Sequence, residues 1–396
     1  MEKNIVYIGG IDWYGKYKYS THHIVGKLSE NNRVFYIDNF GGRRDLRLRD
    51  ASRILRRIAG SFGRREGSGR RPLGGHSYPV IVQPVLVPTP RLPDAIGRMN
   101  SALLARALNR IIDRYNLRDI VMWTCVPTDV VWDSISRVPH RVLVYQCVDK
   151  FSGHPLIPDS VRSRFSAYEE MFTRSSDLVY ANARGLFEEK KKLNPKTYFF
   201  PNGVDPERFR GRGEKIEFLE NMQQPIVGFA GLLGPWVDFE LLKQCASIKT
   251  DWSFVLLGSV SPGTDTKGLT RLPNVHLTGA VDHSALGDYF RYFDVGLIPY
   301  LLTGFTQYTF PSKLAEYLAA GLPAVATPLP EVEPYSNVVS TAAGPEEMVE
   351  AIRKALEETG RSERIKTRLE VARSMSWNTI VSQMEQLIND TLQAKT

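Results

Sequence analysis

FPSKLAEYLAAGLPAVAT, residues 310–327, reads as a helix handed over to a buried strand. Pro311 suits the first helical turn, where its missing N–H costs nothing. Gly321 can end the helix, and Pro323 opens the strand. Ser312 and Lys313 share the first turn, whose free N–H groups and dipole form an anion site to which Lys313 adds a full charge. Glu316 follows one turn later. A carboxylate so near an anion site is unfavourable unless it faces something else, and ribose hydroxyls are the obvious candidate. An ordinary capped helix before a buried strand has the same spacing, so spacing alone leaves both readings open.

Outward from this stretch, the pattern repeats. In the second half, 225–231, 253–259, 275–279, 295–300 and 323–328 read as strands, and 237–248, 311–320, 344–358 and 378–393 as helices. In the first half, strands are expected at 4–10, 33–39, 80–88, 119–125, 141–149 and 177–183, with helices at 20–30, 96–115 and 159–174. Near-continuous apolar strands separated by helices indicate parallel sheets covered on both faces. TYFFPNGVDPERF (197–209) breaks the rhythm and reads as a linker. The expected architecture is α/β, with two doubly wound Rossmann-like domains at 1–203 and 204–377. A helix at 378–396 completes the first domain. A cleft should open between the carboxyl ends of the two sets of strands.

Composition fits that reading. The chain has 396 residues, 42% hydrophobic and 24% charged, enough for two cores. No run of about 18 apolar residues occurs, and MEKNIVYIGGIDW (1–13) reads as a strand rather than a secretory leader. Cys125, Cys147 and Cys245 show neither zinc nor disulfide spacing, which fits a reducing cytoplasm. The net charge of +8 is concentrated: residues 41–71 hold eleven Arg against Asp45, Asp50 and Glu66, so the remainder is neutral.

P-x-K-x-x-E-Y-x-A-x-G-x-P, as it stands at 311–323, resembles the donor-site signature of bacterial GT-B glycosyltransferases of the group 1, or family 4-like, set. GFAGLLGPWVDFELL (228–242) resembles the Gly-rich turn opening their second domain, FPNGVDPERF (200–209) their interdomain segment, and SWNTIVSQMEQLI (376–388) their closing helix. The resemblance covers most of the chain except 40–75. It implies the GT-B fold and transfer of a sugar from a nucleotide-sugar, UDP-linked by preference. Donor-binding positions would be Gly231, Leu232, Tyr300, Pro311, Ser312, Lys313 and Glu316. Tyr300 could equally be a packed aromatic.

The chain departs from that pattern in two places. Retaining family 4 enzymes carry two Glu separated by seven residues; Glu316 would be the second, and Tyr308 stands where the first belongs. Trp236 and Asp238 occupy positions where basic residues often follow the Gly-rich turn. A narrower likeness is to inverting xanthan glucuronosyltransferases and teichuronic-acid transferases. RVLVYQCVDKFS (141–152) resembles their V-Y-x-x-x-D-x-x-S segment, which puts Asp149 at the general base. Asp12 and His22 match a D-x9-H arrangement in the same enzymes. An inverting transfer needs one carboxylate to take the acceptor's proton. Asp149 and Asp12 also fit turn residues, and either His22 or His23 could face the acceptor or pack at a surface. No D-x-D motif and no His/Cys/Glu cluster has metal spacing. The expectation is therefore no metal and no cofactor, with Lys313 and the helix N-terminus in a metal's place.

DLRLRDASRILRRIAG (45–60) places Ala51, Ile54, Leu55 and Ile58 at helical spacing among arginines. This reads as an amphipathic helix for an anionic bilayer surface; a solvated, partly disordered insertion is the alternative. Aromatic residues to stack nucleic-acid bases are nearly absent. The expected partners are a nucleotide-sugar, a lipid-linked or saccharide acceptor, and an anionic membrane through Arg43–Arg71, at the cytoplasmic face of the cell membrane. Within the same fold, a retaining transferase, a UDP-sugar epimerase or a catalytically silent partner subunit remains an alternative.

Overall fold

The computed structural model describes residues 2–14, 18–38, 79–84, 86, 94–155, 159–210 and 213–395. The basic segment 41–75, with the helix expected in it, lies outside the described residues.

The described residues form two sheets. Seven strands build the first: β1 (Asn4–Ile8), β2 (Arg33–Ile37), β3 (Val80–Val82), β4 (Val121–Thr124), β5 (Val142–Cys147), β6 (Leu178–Ala181) and β7 (Thr197–Phe199). Their order is β3-β2-β1-β4-β5-β6-β7, all parallel. Six strands build the second: β8 (Ile226–Ala230), β9 (Ser253–Leu257), β10 (Val275–Gly279), β11 (Val295–Ile298), β12 (Ala324–Ala326) and β13 (Val339–Thr341). Their order is β10-β9-β8-β11-β12-β13, again all parallel. In each sheet the winding reverses beside the first strand, β1 or β8. The ligand crevice of an open parallel sheet forms at such a reversal.

Among the described residues the helices are α1 (Ser20–Leu28), α2 (Asp94–Tyr115), α3 (Asp129–Ile135), α4 (Asp159–Ser175), α5 (Arg184–Lys191), α6 (Glu217–Glu220), α7 (Phe239–Ile248), α8 (Leu286–Phe290), α9 (Ser312–Ala319), α10 (Pro345–Leu356), α11 (Ser362–Ser374) and α12 (Trp377–Ala394). Alternate strand residues serve opposite faces. On β1, Val6 and Ile8 pack with Leu104 and Leu108 of α2, while Ile5 and Tyr7 pack with Ile24 and Leu28 of α1. On β8, Val227 and Phe229 face Leu241 and Leu242 of α7, and Ile226 and Ala230 face Leu314 and Leu318 of α9.

TYF at 197–199, read from sequence as linker, is an edge strand paired to β6. Its Thr and aromatic residues suit a strand, and the turn chemistry begins only at Pro201. Of the expected strand at 80–88, residues 80–82 pair among the described residues. Helix α12 returns to the first domain. Trp377, Ile380, Val381, Met384 and Ile388 are buried there beside α1, and Glu385 meets Lys3 at 3.2 Å. Five such side chains contribute roughly 8–15 kcal/mol of apolar transfer before entropy is subtracted.

Candidate active site

Helix α9 is positioned by rules local to its sequence. Pro311 is its N-cap residue, and no side chain caps the helix. At the other end Gly321 takes φ +71°. Its N–H reaches Leu318 O at 3.0 Å, and that of Leu322 reaches Tyr317 O at 2.9 Å, the paired bonds of a Schellman stop. The uncapped N-terminus opens on a cavity of about 360 Å³ lined by both domains, within the range of small-ligand pockets.

From the first domain come Tyr19, His23, Asp149, His154 and Asn182; from the connection Asn202, Asp205 and Arg208; from the second domain Trp236, His283, Tyr300, Phe305, Pro311, Ser312 and Glu316; and from α12 Trp377. The structure thus brings together Asp149, Tyr300, Pro311, Ser312 and Glu316 of the residues expected at the site. Asp149 lies two residues beyond β5, at the carboxyl edge of its sheet. Tyr300 is two beyond β11 and bridges to Val237, with its N–H donated to Thr327 Oγ1 at 3.1 Å.

Glu316 is 6% exposed. Its carboxylate accepts from Lys313 Nζ at 2.5 Å and lies 3.3 Å from His283 Nε2. Burial alone would raise its pKa; Lys313 and His283 outweigh that and hold it at about 2. A charged, doubly supported acceptor therefore faces the cleft, suited to hydroxyl donors. Lys313 is held against Glu316 behind the lining rather than on it.

Asp12, His22, Gly231 and Leu232 also stand outside the lining. Asp12 Oδ1 accepts the Tyr14 N–H at 3.0 Å, closing a turn of the kind Asp favours after Gly-Gly. His22 Nδ1 accepts the Tyr19 N–H at 3.1 Å and its Nε2 lies 3.3 Å from Asp12 O, so both ring nitrogens serve the loop. One residue along α1 turns the side chain by about 100°, and His23 is the imidazole that reaches the cleft. It stacks on Trp377 at 5.3 Å and faces His283 at 6.1 Å. Burial, then His283 and Arg208, push its pKa down to about 4, leaving it neutral. Gly231 donates to Leu257 O at 2.8 Å, and Leu232 is exposed. Asp238, where a basic residue was the pattern, caps α7 through Leu241 N at 2.9 Å. Among the described residues, no three His, Cys, Asp or Glu side chains are grouped to hold a metal ion.

Sequence reasoning did not single out His283, Arg208, Asn182 or Trp377, and named Trp236 only as a departure from a basic pattern. His283 lies in a segment without a chemical motif and meets Glu316 through packing within the second domain, and Arg208 reaches the cleft from the connecting segment 200–209, whose likeness did not mark it.

Known proteins resemble this chain in sequence and in fold. Residues 224–358 match the family model for glycosyl transferases group 1. The chain carries a group 1 glycosyl transferase domain. It is 29% identical over 270 residues to the putative teichuronic acid biosynthesis glycosyltransferase TuaH of Bacillus subtilis (strain 168), an alignment spanning 64% of this chain and 66% of that protein. Sucrose-phosphate synthase from Thermosynechococcus elongatus superposes with a TM-score of 0.72 at 14% identity, over 99% of this chain and all of that one. Anabaena Alr3699/HepE, solved with UDP and glucose, superposes at 0.66 with 16% identity, over 98% of this chain and 100% of that one. The group 1 domain and the sheet before it together form the GT-B fold.

Proposed function

We propose that this chain is an inverting glycosyltransferase that moves a sugar from a nucleotide-sugar to a lipid-linked or saccharide acceptor in cell-surface polysaccharide assembly. The observation that carries the proposal is the cleft, where Asp149 of one sheet stands with the open N-terminus of α9 and Glu316 of the other. Glu316 accepts hydrogen bonds from the ribose hydroxyls. The diphosphate lies against the N–H groups of the first turn of α9, with the Lys313 charge behind them. Asp149 takes the proton of the acceptor hydroxyl as its oxygen attacks the anomeric carbon. The bond from that carbon to the diphosphate breaks on the opposite side. UDP is favoured as the nucleotide because Alr3699/HepE, of the same fold, binds UDP and glucose; the polysaccharide assignment leans on TuaH. No metal or cofactor enters this scheme, so EDTA should leave turnover unchanged.

The test is a panel of UDP-, GDP- and dTDP-sugars, read by thermal shift and by release of free nucleotide. A protein that binds none of them would defeat the proposal. Conversion of a UDP-sugar to its epimer without release would make it an epimerase, and binding without turnover a silent subunit. Lys313→Ala should weaken UDP binding about 10-fold, because it removes the positive charge behind the first turn of α9 and one of the two partners that hold Glu316. Calorimetry showing unchanged affinity would take Lys313 out of the site.

No described helix is long and apolar enough to cross a membrane. We place the enzyme peripherally on the cytoplasmic face, held by the arginines of 43–71, each worth about 1 kcal/mol near an anionic surface. Neutralising the seven arginines within 43–57 should release the protein from phosphatidylglycerol vesicles while UDP binding persists, and salt should do the same. Continued sedimentation of that variant with the vesicles would place the attachment elsewhere.

A further inference from the structure

Tyr308 stands where the retaining pattern has its first Glu, yet it does not line the cleft. Its ring leaves the second domain and packs against the core of the first. Gly185, in the first turn of α5, makes the seat: a Cβ there would lie 2.7 Å from Tyr308 Cδ1. Lys150 Nζ sits 3.9 Å from the centre of the ring, within cation–π range, and also pairs with Glu189. Burial would lower the Lys150 pKa; Glu189 and Tyr308 outweigh it and keep the ammonium charged.

Lys150 is the residue after Asp149. The rest of that turn is held by the same loop of the second domain. A Cβ on Gly153 would come within 2.9 Å of Gly304 O, and His154 meets Phe305 edge-on at 4.8 Å. Residues 149–154 therefore lie along 304–308. The loop itself runs between Tyr300 and Pro311, which both border the cleft.

We infer that Tyr308 is a positioning residue: through its contact with Lys150 it sets the turn that carries Asp149, so that the donor domain aims the base. This rests on the reading of Asp149 as the base. A base must come within about 2.6–3.2 Å of the proton it takes, and a displacement of about 1 Å can cost 10²-fold in rate. The ring face makes the 3.9 Å contact with the ammonium and the hydroxyl bears on the same Lys150–Glu189 pair, so a phenylalanine keeps the larger part of the contact.

The experiment uses the full chain and the nucleotide-sugar selected by the donor panel. Tyr308→Leu should lower kcat about 10²-fold, with donor KM and UDP affinity unchanged, and Tyr308→Phe should restore most of the rate. Lys150→Met should reproduce the loss, and the double variant should be no worse than either single one. Lys150→Met also covers the case in which Tyr308→Leu folds poorly. Wild-type kcat in both Tyr308→Leu and Lys150→Met overturns the inference, as does a loss that Tyr308→Phe shares or that is matched by a rise in donor KM. Full activity of Asp149→Asn overturns instead the reading beneath it.

Discussion

Asp149→Asn should lower kcat by about 10²–10⁴-fold, the usual loss when a general base is removed, while UDP affinity stays that of the wild type. The amide keeps the size of the side chain but does not accept the proton. The donor contacts proposed for Glu316 and the first turn of α9 lie on the opposite domain, so the substitution leaves them untouched. The same assignment sets the stereochemistry. Tyr308 occupies the position of the first retaining Glu and is turned onto Lys150 and Gly185. One carboxylate that deprotonates the acceptor gives a single displacement, and the product should carry the anomeric configuration opposite to the donor's. NMR of the product reads the configuration, and a UDP titration of the variant separates binding from turnover. A retained anomer, or an Asp149→Asn enzyme at full rate, would leave the fold standing and remove the mechanism.

How much of this was legible in the sequence depended on how local the cause was. The segment 310–327 was readable because an N-terminal Pro and a Gly stop act within a few residues. The near-continuous apolar strands likewise announce parallel sheets. Helix α11 escaped because it buries a charge: Arg368 is 1% exposed, paired with Glu358 and donating to Gly321 O at 3.3 Å. An arginine does not register as a core position. Strands β7 and β13, three residues each, are too short to show a period. In the site, Asp149 was recoverable because it follows a long buried strand. The choice between His22 and His23 was not, because adjacent helix positions point about 100° apart and the backbone of Asp12 and Tyr19 decides which ring is captured. His283 stands apart from any motif and meets Glu316 only through packing within the second domain, and Arg208 reaches the cleft from the connecting segment.

The largest structural effect is expected from Gly258→Ala. Gly258 follows β9 directly with φ +154°, a region that side-chain-bearing residues rarely enter. A Cβ there would lie 1.7 Å from Gly231 O, a backbone atom that has no rotamer by which to retreat. Gly231 is itself pinned, its N–H donated to Leu257 O at 2.8 Å, and Gly258 donates to Gly279 O at 2.8 Å. The clash must therefore push apart the chain beyond β8, β9 and β10, where the Gly-rich turn leads to Trp236 and the cleft. Backbone strain of about 1–2 kcal/mol and overpacking of about 1–3 kcal/mol together predict a loss of roughly 2–5 kcal/mol, with weakened UDP binding. Gly263→Ala is the control: Gly263 has φ +84° but nothing within 4 Å of its Cβ position, so only the strain applies. Denaturant titration of the two variants isolates the steric part. Equal losses would mean that the Gly231–Gly258 approach yields readily and that the turn is not fixed by it.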